Sequence, residues 1–331
     1  MVPHRARLHG DRPSRARPLG RLGRTALASV VLLGVTGAGT VYVTAQAHDA
    51  GELVSSSASS RTRTKATTEA TVEPVTASAS AEPTPTPASA SASGDAALAD
   101  ALGSVAVEAG ARLSVAVLDT ESGRSAVYGD GAFDTASIVK ADILAALLLQ
   151  AQDAGRELTA QEKTYASAMI RDSDNASASA LWKAIGQARG LAGANERFGL
   201  DGTEGGDGAL WGLTQTTAAD QLTLLRQVFG DADESLLDEG SRAYLRGLMG
   251  DIAAGQDWGV SAAGPTGFAL KNGWLPRTAT GLWDINSVGR VTADGREYLV
   301  AVLSDGNSTK AGGISMVESA AKAAVTALTT T

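Results

Sequence analysis

The chain has 331 residues, a formal net charge of −8 and no cysteine, so disulfides, zinc–thiolate sites, thiol nucleophiles and a lipid-modified cysteine anchor are excluded together. Its three histidines, His4, His9 and His48, all precede the part of the chain with globular composition. That rules out a Ser-His-Asp triad and leaves almost no way to ligate a metal through histidine. No metal or cofactor is expected, and proton transfer must fall to Lys, Asp, Glu, Tyr or Arg.

Residues 1–25 carry seven arginines and one acid, Asp11, and from Ala26 to Ala47 there is no charge at all. A basic start, an apolar stretch and the small-residue run Ala45-Gln46-Ala47 follow the grammar of an export signal. The apolar stretch, ~22 residues, is also long enough to cross a bilayer as a helix, so cleavage and retention as an anchor both stay open. In either case the arginines remain cytoplasmic and the rest is extracytoplasmic, touching the membrane only through residues 26–47. From His48 to about Gly94 the chain is Ser, Ala, Thr, Pro and Glu, with too little to bury to offset its own entropy, and reads as a disordered linker. Residues 95–331 then form the folded domain, large enough for one core without staples. It has 18 basic and 30 acidic residues, which argues against nucleic acid as a partner. A monomer is expected.

Within the domain, an amphipathic helix is predicted at about 95–109. The alternating run Arg112–Asp119 follows, and a turn at Glu121-Ser122-Gly123 leads to a strand at about 124–128, giving a hairpin. The apolar stretch Thr135–Leu149 opens the helical part; it is apolar nearly all round, which predicts burial. Further helices are predicted at about 160–171, 176–186, 216–228 and 240–253. Strands return at about 266–271, 281–291 and 297–304, the last two joined by a two-residue turn at Asp294-Gly295. A helix at about 313–328 closes the chain. Strands at both ends with helices between them imply an α+β fold: an antiparallel sheet of about five strands uniting the termini, flanked by terminal helices, with an all-helical lobe inserted.

Three polar clusters interrupt this pattern. In the first, Ser137 and Lys140 stand three residues apart at the start of the buried helix, on one face, as a nucleophile stands beside its base. Burial lowers an amine's pKa, which suits Lys140 to that role, and the first turn of a helix favours a developing negative charge at Ser137. The same spacing recurs at Ser319 and Lys322, mid-helix with no second polar cluster nearby, and is read there as structural. In the second cluster, Asp172-Ser173-Asp174-Asn175 lies at a helix junction, where capping is the competing explanation. The third is Lys271-Asn272-Gly273-Trp274, at a strand end whose glycine permits close approach of another backbone.

In this order, S-x-x-K, S-D-N and K-x-G resemble the motifs of the serine β-lactamases of class A and the penicillin-binding DD-peptidases, over about residues 95–331. The resemblance implies a β-lactamase/transpeptidase-like fold. It also implies acylation of Ser137 by a β-lactam or a D-Ala-D-Ala-like cell-wall peptide. Lys140 would be the base and Ser173 the proton relay to the leaving nitrogen. Asn175, Lys271, Asn272, Gly273 and Trp274 would bind substrate, Asn175 also holding Lys140 and Lys271 also tuning Ser173, with the backbone N–H groups of Ser137 and Trp274 forming the oxyanion hole. Trp211 and Trp274 are candidates to line the cleft, and Arg277 or Arg290 to assist Lys271 with a carboxylate. The departures are specific. Asn272 replaces the usual Thr or Ser, and the stretch from Ser137 to Ser173 is shorter than in class A by about two dozen residues. The loop motif E-x-x-L-N that carries the class A deacylating acid is missing. Glu204 falls nearest its place, with Asp207 a poorer match. A penicillin-binding DD-peptidase or esterase with slow deacylation, and a non-catalytic wall-binding or sensing module, are the alternatives.

Overall fold

The computed structural model describes residues 87–329. The stretches read from sequence as an export signal and a linker, up to residue 86, lie outside them. Helix α1 (Pro87–Leu102) begins earlier and ends earlier than expected, so residues 87–94, assigned to the linker, are its first turns. The hairpin of β1 (Arg112–Asp119) and β2 (Ser125–Tyr128) follows, then a two-residue strand β3 (Phe133–Asp134) and a 3-10 turn, Ala136–Ile138. The helical part comprises α2 (Val139–Asp153), α3 (Ala160–Arg171), α4 (Asn175–Ala184), α5 (Gln187–Phe198), α6 (Ala218–Phe229) and α7 (Glu239–Gly250). A second short strand, β4 (Gln215–Thr216), precedes α6 and pairs with β3. The chain ends with β5 (Phe268–Pro276), β6 (Trp283–Ala293), β7 (Arg296–Asn307) and α8 (Lys310–Thr329).

Five strands form one sheet in the order β2-β1-β7-β6-β5, every neighbouring pair antiparallel. Its centre is the β1–β7 pairing, Arg112 opposite Asp305 through Asp119 opposite Tyr298, which joins the two ends of the domain as the strand pattern required. Asp294 and Gly295 both take positive φ, 51° and 80°, so the β6–β7 turn has the twist of a tight hairpin. Alternation along β7 separates two cores. Leu299, Ala301 and Leu303 pack with the helical lobe, while Val300 and Val302 pack with α1 and α8 on the other face. The fold is the expected one.

Helix α2 is the axis of the lobe. Every residue from Val139 to Leu149 is buried, and each such leucine or isoleucine contributes ~1.5–3 kcal/mol by leaving water. Helix α5 was not anticipated. It carries two glycines, each costing ~1 kcal/mol of helix propensity, and tertiary packing overrides that preference. At Gly190 the reason is geometric, since a Cβ there would stand 1.6 Å from the carbonyl oxygen of Ile185.

Candidate active site

Thr135–Ile138 forms the tight entry to α2, with Ala136 at φ 47° and Ser137 in the 3-10 turn rather than in the α-helix proper. The turn is gripped from two sides. Asn286, inside β6, donates from Nδ2 to the carbonyls of Asp134 (2.8 Å) and Thr135 (3.1 Å). Strand β5 passes so near that a Cβ at Gly273 would lie 2.6 Å from Thr135 O, 2.8 Å from Ser137 N and 2.9 Å from Ile138 N. Only glycine fits there, which brings the edge of the sheet against the serine.

Lys140, the second residue of α2 and one turn beyond Ser137, is fully buried. Its Nζ donates to Ser173 O at 2.6 Å, Ser173 Oγ at 3.0 Å and Asn175 Oδ1 at 2.8 Å. Among the described residues no hydrogen bond joins it to Ser137; its partners come instead from the turn between α3 and α4. Ser173 sits there in the left-handed region at φ 57°. The cap and the site divide this turn between them. Asp174 takes the capping role, its Oδ1 accepting from Ser177 N at 2.7 Å, which leaves Ser173 and Asn175 free to face the lysine. Lys271 reaches the same hydroxyl from β5, Nζ to Ser173 Oγ at 3.2 Å, and also donates to Asn272 O at 2.9 Å.

Ser173 Oγ therefore accepts from two amines, which uses its two lone pairs and leaves its own O–H to donate outward. Both amines are held down to about 7. For Lys140 desolvation is the main cause, with the charge of Asp174 opposing it. For Lys271 desolvation is again first, followed by repulsion from Lys140. Amines of this kind lose and regain a proton near neutrality, where a general base must work.

The other predicted residues are placed as follows. Glu204 is exposed and paired through its backbone with Gln215; no bond or ion pair joins its carboxylate to Lys140, Ser173 or Ser137 among the described residues. Asp207 is exposed as well. The loop residue that reaches Lys140 is Trp211, whose ring centre lies 5.0 Å from Nζ. Asn272 shares the α8 face of β5 with Leu270 and Trp274, and donates to the carbonyls of Gln256 (2.8 Å) and Trp258 (2.9 Å). On that face Trp274 packs under Lys310, 3.8 Å from its ring centre, and beside Trp258, so its side chain points away from Lys271. Arg277 is held by Asp134 and, at 2.8 Å, by Asp284; Arg290 pairs with Glu297. Ser319 bonds its own helix at Ser315 O, as a structural residue does. Sequence reasoning missed Asn286, because a lone asparagine inside a strand carries no signal of what it will reach.

Residues 149–328 match the model of the Beta-lactamase enzyme family. The chain belongs to that family. The match spans Ser173, Asn175 and Lys271 and begins after Ser137 and Lys140. Among solved structures, PBP-A is 18% identical with a TM-score of 0.60, over 71% of this chain and 97% of that one. The TLA-1 extended-spectrum β-lactamase is 16% identical with a TM-score of 0.61, over 72% and 99%. A β-lactamase from Burkholderia vietnamiensis is 23% identical with a TM-score of 0.59, over 72% and 97%. At these identities the likeness establishes the β-lactamase/transpeptidase-like fold. No curated protein sequence matches.

Proposed function

We propose that this family member is an exported serine acyl-transfer enzyme, in which Ser137 takes an acyl group from a β-lactam or a D-Ala-D-Ala-like cell-wall peptide. The observation that carries the reading is the meeting of two buried, readily deprotonated lysines at one hydroxyl, beside a serine gripped by a glycine edge strand. With Lys140 neutral, a lone pair replaces one N–H. The Ser137 hydroxyl gives its proton to that amine while Oγ bonds the substrate carbonyl carbon. The carbon–nitrogen bond then breaks, and the leaving nitrogen takes the outward proton of Ser173, which Lys140 restores. With Lys140 neutral its repulsion of Lys271 is gone, which favours charge on Lys271 beside Ser173 for a substrate carboxylate, and Asn175 holds Lys140. The Ser137 N–H and an N–H of the outer edge of β5, at Trp274, serve as the oxyanion hole; losing one such donor costs on the order of 100-fold in rate. Supporting this reading, a mutant of the similar protein PBP-A is described as an acyl-enzyme complex with penicillin-G. Export through residues 1–47 is part of the proposal.

The test is intact mass of the full chain after incubation with benzylpenicillin. One acyl adduct is expected on the native protein and none on Ser137→Ala or Lys140→Ala. Native protein that stays unmodified by penicillin, and inert toward D-Ala-D-Ala peptides and simple esters, would leave a non-catalytic wall-binding module instead.

A further inference from the structure

Hydrolysis of an acyl group on Ser137 needs a water near the ester and a base to take its proton. The loop between Leu200 and Thr216 is where such an acid–base pair would be supplied, and its acids, Asp201, Glu204 and Asp207, are exposed and, among the described residues, bonded to neither lysine. Instead the loop presents an indole. Trp211 opens a 3-10 turn, Trp211–Leu213, and lies with its ring centre 5.0 Å from Lys140 Nζ. Its Nε1 donates to Ser179 Oγ on α4 at 3.1 Å, which fixes the ring's orientation. Three further contacts hold the loop shut. Trp182 Nε1 donates to Gly208 O at 2.7 Å, Gly206 N to Thr214 Oγ1 at 3.2 Å, and a Cβ at Gly205 would lie 2.8 Å from Ala188 Cα. Lys140 thus has Ser173 and Asn175 as its polar neighbours and an aromatic face on its loop side.

We infer that Trp211 is a positioning residue that sets how long the acyl-enzyme lasts: it closes the loop side of Lys140 to water, so acylation proceeds and hydrolysis does not. The step it blocks is addition of water to the acyl carbonyl, with a water proton taken by Lys140, followed by breakage of the ester bond and return of a proton to Ser137 Oγ. Acylation needs no water, since Ser137 itself gives Lys140 the proton. The indole favours the protonated amine through its π face while its bulk desolvates the same amine, so its main effect falls on access. This inference rests on acylation of Ser137.

The test separates the two steps by intact mass of the full chain with benzylpenicillin, first during adduct formation and then after removal of free penicillin. Trp211→Ala should form the adduct at a rate close to native and lose it on the order of 100-fold faster, the lower end of general-base effects. Trp211→Phe, which keeps a ring over the amine, should retain the long-lived adduct. Should Trp211→Ala not fold, Ser179→Ala decides: freeing the indole should shorten the adduct's life in a chain whose circular dichroism is unchanged. An adduct that forms on the variant and decays at the native rate overturns the role of Trp211 alone. A native protein that never forms an adduct overturns the acyl-transfer reading and this inference with it.

Discussion

Lys140 and Lys271 are similar in charge and burial, yet the contacts around them give them different tasks. Lys140 has three acceptors on one turn and the carboxylate of Asp174 near enough to favour its charged form; Lys271 has Ser173 Oγ, a backbone carbonyl and the repulsion of Lys140. A base works only when unprotonated, so acylation by benzylpenicillin should speed up as pH rises through about 7 and level off above it. Asp174→Ala removes the group that opposes desolvation, so that profile should move to lower pH. The same change deletes the cap of α4, which costs ~1 kcal/mol of stability by denaturant titration. Stopped-flow acylation from pH 5.5 to 9 reads the profile; one that is flat, or falls with pH, contradicts Lys140 as base. The sequence made Lys140 visible because a cation in an apolar helix is rare. It offered Asn175 as a partner for the lysine, and the amine is bonded to Ser173 and Asn175 and, among the described residues, not to Ser137.

At the scale of elements, the site exists because an edge strand can lie against a turn. Gly273 is where β5 meets Thr135–Ile138, and the atoms a Cβ would strike are all backbone, with no flexible side chain to yield. Gly273→Ala should therefore push β5 off the turn. The expected stability loss is ~1–3 kcal/mol, as for overpacked sites. Acylation should fall on the order of 100-fold, because Ser137 N and the strand N–H no longer converge on one oxygen. Melting temperature and adduct rate measure the two separately, and a fully active Gly273→Ala protein would show that the approach is not needed. Element boundaries were legible where the local signal was strong. Strand β1 and helix α3 fall where they were predicted, and the structure opens α3 with a Thr159–Glu162 capping box. Helix α5 was hidden by its glycines, where packing outweighs local preference, and the start of α1 by its Ser-Ala-Pro composition.

The molecule as a whole carries a buried polar seam between lobe and loop. Asp142, two residues beyond Lys140, is fully buried; Oδ1 accepts from Gln221 Nε2 at 3.0 Å and Oδ2 has no partner. Gln221 also bonds Thr216, which meets Thr203, which in turn donates to Asp220. Desolvation first, and then the charge of Asp220, pushes the Asp142 carboxyl up to about 7. A carboxyl raised in the native state keeps its proton after the unfolded chain has lost its own. From its ordinary value near 3.8 up to about 7 it therefore makes stability fall as pH rises, with no further change above. Asp142→Asn keeps an acceptor for Gln221 and removes the titration. Its melting temperature relative to native should rise from pH 5 to pH 8; a constant difference would mean Asp142 is ionised in the fold at both values.

By itself the sequence determined the class of chemistry and the parts list. The absence of cysteine and of any histidine beyond His48 leaves lysine as the economical base, and the spacing of strands and helices implies one sheet closed by both ends of the domain. These are local or compositional properties, readable without coordinates. Only the tertiary structure decided how side chains meet: the resemblance implied that Lys271 tunes Ser173, and packing β5 against the lobe brings the two to 3.2 Å across a sequence separation of 98 residues. It also decided which face of β5 carries Asn272 and Trp274, and that the loop gives Lys140 an indole while the carboxylate of Glu204 stays in solvent. A strand's alternation fixes two faces, but which one looks into the site depends on what the sheet packs against, and that is set by the whole chain.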